Sequence, residues 1–222
     1  KLIVCIDEFQ NVENFDDPVG FQQKIRAQWQ KHKNVVYCLY GSKRHMLMQL
    51  FEKRSMPLYR FSEVIYLDKI AKEHWVKYIV NSFHSGRKKI SNELAGMIAD
   101  SVKCHPYYVQ QFAHIVWNNT DKKVTRAIFD KSIMELVSNN VILFEREFQF
   151  LSNGQINFLR ALKDGVNRGF TSNEVIRKYN LGSSSNVIRI ISALEDKEII
   201  DRFTNNIEFV DPVFELWLKM RL

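Results

Sequence analysis

Apolar residues along the chain follow three successive patterns. The first is a set of short β-branched and aromatic runs separated by more polar stretches. Leu2-Ile3-Val4-Cys5-Ile6 stops at Asp7-Glu8, Val35-Val36-Tyr37-Cys38-Leu39-Tyr40 stops at Gly41-Ser42, and Val64-Ile65-Tyr66-Leu67 stops at Asp68. Runs of this kind predict strands buried on both faces, as in a parallel sheet. Between them lie an acidic loop over 11–18, a helix over 19–32 with Phe21, Ile25 and Trp29 at helical spacing, and a second helix over 45–51. Strand, helix, strand, helix, strand is the alternation of a doubly wound α/β unit.

After Asp68 the strands stop. Residues 71–83, 91–102, 107–117 and 126–144 each carry an amphipathic helical period, the second opening on Ser91 as a cap. The third pattern starts at Leu151. It predicts a helix over 155–163, a short one capped by Thr171 or Ser172, and one opened by Ser183-Ser184-Ser185 with Val187, Ile190, Ile191 and Leu194 inward. Residues 199–203 and 206–210 then flank Thr204-Asn205, a hairpin signal, and Pro212 starts a last helix. Three helices and a hairpin make a winged helix-turn-helix. The expected division is an α/β part over 1–68, an all-α part over 69–150 and a winged helix over 151–222.

Composition changes this picture little. The chain has 222 residues, 45% of them hydrophobic, and no apolar run nears the roughly 18–20 residues that cross a bilayer, so no membrane partner is expected. Cys5, Cys38 and Cys104 are odd in number, far apart and set among apolar residues, which predicts buried free thiols of a cytoplasmic protein.

Charge changes it more. The net +7 divides as +4 over 1–62, +2 over 63–150 and +1 over 151–222. A duplex reader needs a basic face, whereas this winged helix is close to neutral and its third helix ends in Glu195-Asp196-Lys197-Glu198. DNA contact through Ser184, Ser185, Asn186 and Arg189 therefore ranks below packing, regulation or a protein partner. Phe203, Phe209, Phe214 and Trp217 are expected in the winged-helix core. Lys53-Arg54 and Arg87-Lys88-Lys89 are expected to be solvated faces.

The chemistry concentrates where the first strands end. A carboxylate at the C-terminal edge of a buried strand, Asp7, can hold water on a Mg²⁺ ion bound to nucleotide phosphates. The next one, Glu8, can polarise an attacking water. A turn or helix cap uses the same residue types, so the pair needs its context. Ser42, ending the next strand, suits a γ-phosphate sensor or a cap for the following helix. Arg60, in Pro57-Leu58-Tyr59-Arg60-Phe61, suits phosphate contact or an ordinary surface position.

Taken in order, these pieces resemble the archaeal-type ATPases of the STAND group of AAA+-related P-loop NTPases. The matching residues are Ile6-Asp7-Glu8-Phe9-Gln10, Gly41-Ser42 with Met46 and Leu50-Phe51, Pro57-Leu58-Tyr59, His105-Pro106-Tyr107-Tyr108-Val109-Gln110-Gln111, and Asp211-Pro212-Val213-Phe214 with Trp217. The resemblance implies a partial P-loop NTPase core starting at the Walker B strand, a helical lid and a C-terminal winged helix. It implies Asp7 for Mg²⁺, Glu8 for water activation, Ser42 and Arg60 for phosphate, and Pro106 for the base or ribose. In Lys103-Cys104-His105-Pro106 the family's lid glycine is absent, and Arg60 follows Tyr59 directly where relatives often insert glycine.

None of the eight glycines precedes Lys-Ser or Lys-Thr, so the 222 residues hold no phosphate loop. The resemblance implies that this loop and two further strands lie upstream. Residues 64–67 would then lack the neighbouring strand that the usual order provides. The expected function is the C-terminal part of an ATP-binding and ATP-hydrolysing switch, with ATP and Mg²⁺ used by the full-length protein and none held tightly here. The rivals are a winged-helix DNA-binding transcriptional regulator with a vestigial ATPase portion, and a protein-interaction adaptor.

Overall fold

A computed structural model describes the chain apart from Thr204 and Asn205, and apart from the side chains of Arg44, His45 and Phe203. The predicted hairpin turn and the core role of Phe203 therefore lie outside the described residues. The chain forms two compact units, Lys1–Leu67 and Asp68–Leu222.

In the first unit β1 (Leu2–Ile6) and β2 (Val35–Leu39) pair in parallel, with Cys5 opposite Cys38 and Ile6 opposite Leu39. The residues after Asp7-Glu8 wind into a 3-10 helix, Phe9–Asn14, where the sequence suggested only a loop. Helix α1 (Pro18–Trp29) connects the strands and α2 (Arg44–Glu52) follows β2. Pro18 stands at the first turn of α1, where its missing N–H costs nothing, and Asp17 caps that turn through the Gly20 amide at 2.8 Å. Phe9, Val12, Leu50, Phe51 and Leu58 form the buried core, with Ile6, Leu39 and Trp29 packed against it. Five such side chains, at about 1.5–3 kcal/mol each, make a small core.

Three expectations fail in this unit. The strands are covered on one face only: Ile3, Cys5, Val36 and Cys38 are exposed, because side chains alternate and only the Ile6–Leu39 face meets the core. Cys5 and Cys38 are thus exposed free thiols rather than buried ones, and only Cys104 is partly covered. Residues 64–67 form no strand. A strand needs a neighbouring strand, and among the described residues no strand is paired with this segment; the Tyr66 hydroxyl donates to Glu52, while Ile65 is 76% and Leu67 85% exposed.

The second unit is helical. Helices α3 (Lys72–Ser85), α4 (Asn92–Ser101), α5 (Pro106–Asn118) and α6 (Arg126–Ser138) come first. Ser91 caps α4 through the Leu94 amide at 3.2 Å. The helix predicted over 126–144 breaks after Ser138, and α7 (Val141–Gln149) begins anew. At the break Asn140 Nδ2 donates to the Leu136 carbonyl at 2.8 Å, the competition of a short amide side chain for backbone that ends helices.

The winged helix follows. It consists of α8 (Asn153–Lys163), α9 (Asn173–Tyr179), α10 (Ser184–Asp196), the antiparallel pair β3 (Ile200–Phe203) and β4 (Asn206–Phe209), and α11 (Pro212–Arg221). Ser152 opens α8 with a capping box to Gln155, and Ser172 rather than Thr171 caps α9. Phe209, Phe214 and Trp217 are buried as expected. One continuous core runs from Ile79 and Phe83 through Val109 and Phe112 to Phe158, Leu194 and Phe214. Among the described residues no helix is long and apolar enough to cross a membrane.

Candidate active site

Parallel pairing brings the ends of β1 and β2 to one edge. There the Tyr40 amide donates to the Ile6 carbonyl and the Phe9 amide to the Tyr40 carbonyl, both at 3.1 Å. These bonds place Asp7-Glu8 beside Tyr40-Gly41-Ser42. Glu8 takes left-handed backbone angles (φ 49°, ψ 43°), a conformation that costs a non-glycine residue about 1–3 kcal/mol. It is stabilised there because the Glu8 amide donates to Asp7 Oδ1 at 2.8 Å.

The Glu8 carboxylate is held from two sides. Gln10 Nε2 donates to its Oε2, and Ser42 Oγ lies 3.3 and 3.2 Å from the two oxygens. Gln10 is fully buried, and its other amide atom, Oε1, is buried without a hydrogen-bond partner. Ser42 does not cap α2, whose N-cap is Lys43 and lacks a side-chain cap bond. Gly41 makes room for the arrangement, since a Cβ there would lie 1.9 Å from Gln10 Oε1. Asp7 is exposed, and its negative charge is the main reason the Tyr40 phenol is pushed above its ordinary pKa.

Asp7, Glu8 and Ser42 therefore share one site. Arg60 does not join their hydrogen bonds: it follows α2 in a left-handed conformation (φ 51°), and its guanidinium lies 5.3 Å over the Tyr59 ring. Asp7 keeps Oδ2 open, and Mg²⁺ is commonly held by one or two carboxylates, with water and phosphate oxygens completing its shell. The edge fits that ion. Among the described residues no group of three or more His, Cys, Asp or Glu makes a fuller metal site.

Pro106 belongs to the second unit. It opens α5 behind a turn in which Lys103 (φ 50°) and Cys104 (φ 55°) are both left-handed without being glycine. The turn is tied to the winged helix. Lys103 Nζ pairs with Glu215 at 2.5 Å, and the Tyr108 hydroxyl donates to Asp211, which also accepts the Val213 and Phe214 amides at 2.7 and 2.9 Å. Burial, then the bond to Asp211, drives the Tyr108 phenol far above its ordinary pKa.

Comparison with known proteins bears on the fold. A family model described as "Probable winged helix domain" matches residues 142–220. The chain is similar to a Walker-type ATPase of Pyrococcus abyssi, with a TM-score of 0.73, 18% identity and 98% of the chain aligned. The fold is that of a P-loop ATPase with a C-terminal winged helix. The chain spans 63% of the length of that Pyrococcus protein. A RuvB mutant of Thermotoga maritima (TM-score 0.45, 15% identity, 93% of this chain and 66% of that one) is a looser match. So is the Aeropyrum pernix ORC1 protein in complex with DNA (TM-score 0.47, 13% identity, 98% of this chain and 63% of that one). Both are too loose to bear on the fold. Among curated proteins none matches the sequence.

Sequence reasoning named Glu8 and Ser42 but missed Gln10 as the group that holds Glu8. Its one signal was an amide residue set between Phe9 and Val12, both buried apolar positions. The tie of Tyr108 to Asp211, 103 residues apart, had no local signal at all.

Proposed function

We propose that the chain is the C-terminal part of an ATP-hydrolysing molecular switch of the STAND type, in which the winged helix responds to nucleotide bound elsewhere in the protein. The observation that carries this reading is the Glu8 carboxylate, fixed between the buried Gln10 amide and the Ser42 hydroxyl beside exposed Asp7. In this reading Asp7 holds a water of the Mg²⁺ shell, and the ion neutralises phosphate charge when bound. Glu8 orients and deprotonates the attacking water, Ser42 donates to the terminal phosphate, and Arg60 swings from Tyr59 to the same phosphate. Pro106 and its strained turn contact the base or ribose. The ties from Lys103 and Tyr108 to α11 supply a route from that turn to the winged helix.

The domain division that goes with it is a nucleotide core over 1–68, a lid over 69–150 and a winged helix over 151–222. A protein partner suits the winged helix better than DNA. Ile188 lies 61% exposed on α10, and Arg202 on β3 is already paired with Glu195 at 2.7 Å. The test uses a longer polypeptide that carries a phosphate loop ahead of these residues. Glu8→Gln there should cut steady ATP turnover by about 10²–10⁴-fold with nucleotide affinity retained. Unchanged turnover would remove Glu8 from its role.

A further inference from the structure

Two lysine-rich runs in the second unit are distant in sequence and adjacent in the fold. Arg87-Lys88-Lys89 follows α3, and Lys122-Lys123 follows α5. The Lys89 amide donates to the Lys122 carbonyl and the Val124 amide to the Lys89 carbonyl, both at 2.8 Å, so that Lys89 and Lys123 form a parallel bridge. Ile90 and Val124, next along each segment, are buried in the core and pin the two runs. Lys88 is structural, since its ammonium donates to the Trp117 carbonyl at 2.8 Å and sits 4.5 Å from the centre of that ring. The other four cations are exposed.

Cations at helix C-termini often do no more than offset the helix dipole. Here there are too many for that. Each of the two helix ends is worth about half a negative charge, and Asp121 adds one, which leaves a surplus of about three positive charges from the five basic residues. The two segments are a strand spacing of about 4.8 Å apart, well inside the screening length of about 8–10 Å, so their fields add. Elsewhere in this unit Lys72, Arg126 and Lys103 are paired with carboxylates. Among the described residues no carboxylate lies within 4.0 Å of the basic groups of Arg87, Lys89, Lys122 or Lys123.

The surroundings narrow the partner. No large hydrophobic side chain is exposed between Tyr78 and Tyr107 or between Tyr107 and Met134. The two runs therefore carry no wedge for a bilayer and no apolar anchor for a protein hot spot, and the half-buried Trp117 ring beside them is covered by the Lys88 ammonium, so it is no free platform for single-stranded bases. What it does offer is a rigid array of unpaired cations, which suits the regular charge of a duplex backbone. We infer that Arg87, Lys89, Lys122 and Lys123 form a docking face for the phosphate backbone of duplex nucleic acid, independent of sequence and of the winged helix.

The test is a fluorescence anisotropy titration of a labelled mixed-sequence DNA duplex with the full chain at rising salt. With four phosphates neutralised, the logarithm of the binding constant should fall with log salt at a slope of about −3.6, or roughly 10²-fold between about 50 and 200 mM. The combined Arg87→Gln, Lys89→Gln, Lys122→Gln and Lys123→Gln variant, with unchanged circular dichroism and melting, should lose most of that slope. Arg189→Gln on α10 should keep it. The inference is overturned if the wild type does not bind at about 50 mM salt or if the fourfold variant keeps the wild-type slope. It is equally overturned if Arg189→Gln alone abolishes binding, or if polyglutamate or phosphatidylserine vesicles bind more tightly than the duplex at equal salt.

Discussion

Replacing Asp211 with alanine should destabilise the second unit by about 2–4 kcal/mol, because one carboxylate serves two structures at once. It caps α11 by accepting the Val213 and Phe214 amides at 2.7 and 2.9 Å, and it accepts the hydroxyl of Tyr108, a residue 8% exposed. Losing an N-cap of this kind costs about 1 kcal/mol, and leaving a buried hydroxyl unpaired costs about 1–3 kcal/mol. For a unit of this size each kcal/mol lowers the melting temperature by about 2–4 °C, so the expected drop is about 5–15 °C. Tyr108→Phe removes the hydroxyl together with its need for a partner and should cost only about 1–2 kcal/mol. The double variant should then show a coupling of about 1 kcal/mol or more. Thermal unfolding of the full chain, followed by near-ultraviolet circular dichroism, gives all the values. A loss below about 0.5 kcal/mol for Asp211→Ala, or a coupling near zero, would refute the idea that this tie joins α5 to α11.

Further outcomes are expected. Gly41→Ala sets a Cβ 1.9 Å from the end of the Gln10 side chain. That flexible amide can swing aside, so stability should fall by less than about 1 kcal/mol. Turnover in a protein with a phosphate loop should nonetheless drop as Glu8 loses its support. Titration calorimetry of the 222-residue chain with Mg-ATP should give no micromolar binding, since its sequence has no phosphate loop.

Acidification should destabilise the fold in two steps. Burial, partly opposed by Asp211, lowers the His105 pKa, so its stabilising contribution is complete above the ordinary imidazole value and is lost as pH falls through the lower folded one. Burial works to raise the Glu215 pKa, but hydrogen bonds from Lys103 and Lys219 outweigh it and hold it low, so its contribution fades further into acid. Glu147 runs the other way. Burial and then Asp211 raise its pKa, so Glu147→Gln should raise the melting temperature at pH 7 and leave it unchanged once pH is below the ordinary carboxylate range.

Much was determined by the sequence alone, wherever the governing interaction is local. Ser91, Ser172, Ser183 and Pro212 announced helix starts because caps and a first-turn proline act within three residues, and the α10 apolar spacing announced its inward face; the caps at Ser152 and Asp211 were not read. The α/β alternation and the winged helix were legible in the same way, the latter from three helices followed by a hairpin, whereas the P-loop ATPase fold was expected from the resemblance that the ordered motifs carry. Only the tertiary structure decided matters that turn on distant partners. Residues 64–67 have every strand preference yet join no sheet among the described residues, and Ile3, Cys5, Val36 and Cys38 are as apolar as buried residues yet exposed. The helix period over 126–144 did not reveal that Asn140 would turn on the Leu136 carbonyl and break it. The support of Glu8 by Gln10 and Ser42, and the tie of Tyr108 to Asp211, likewise arise from chain segments meeting in space. Local pattern fixes which residues favour a helix, a strand or a turn. Whether a strand finds a neighbour, a face finds cover or a carboxylate finds its donors depends on packing, which no window of sequence contains.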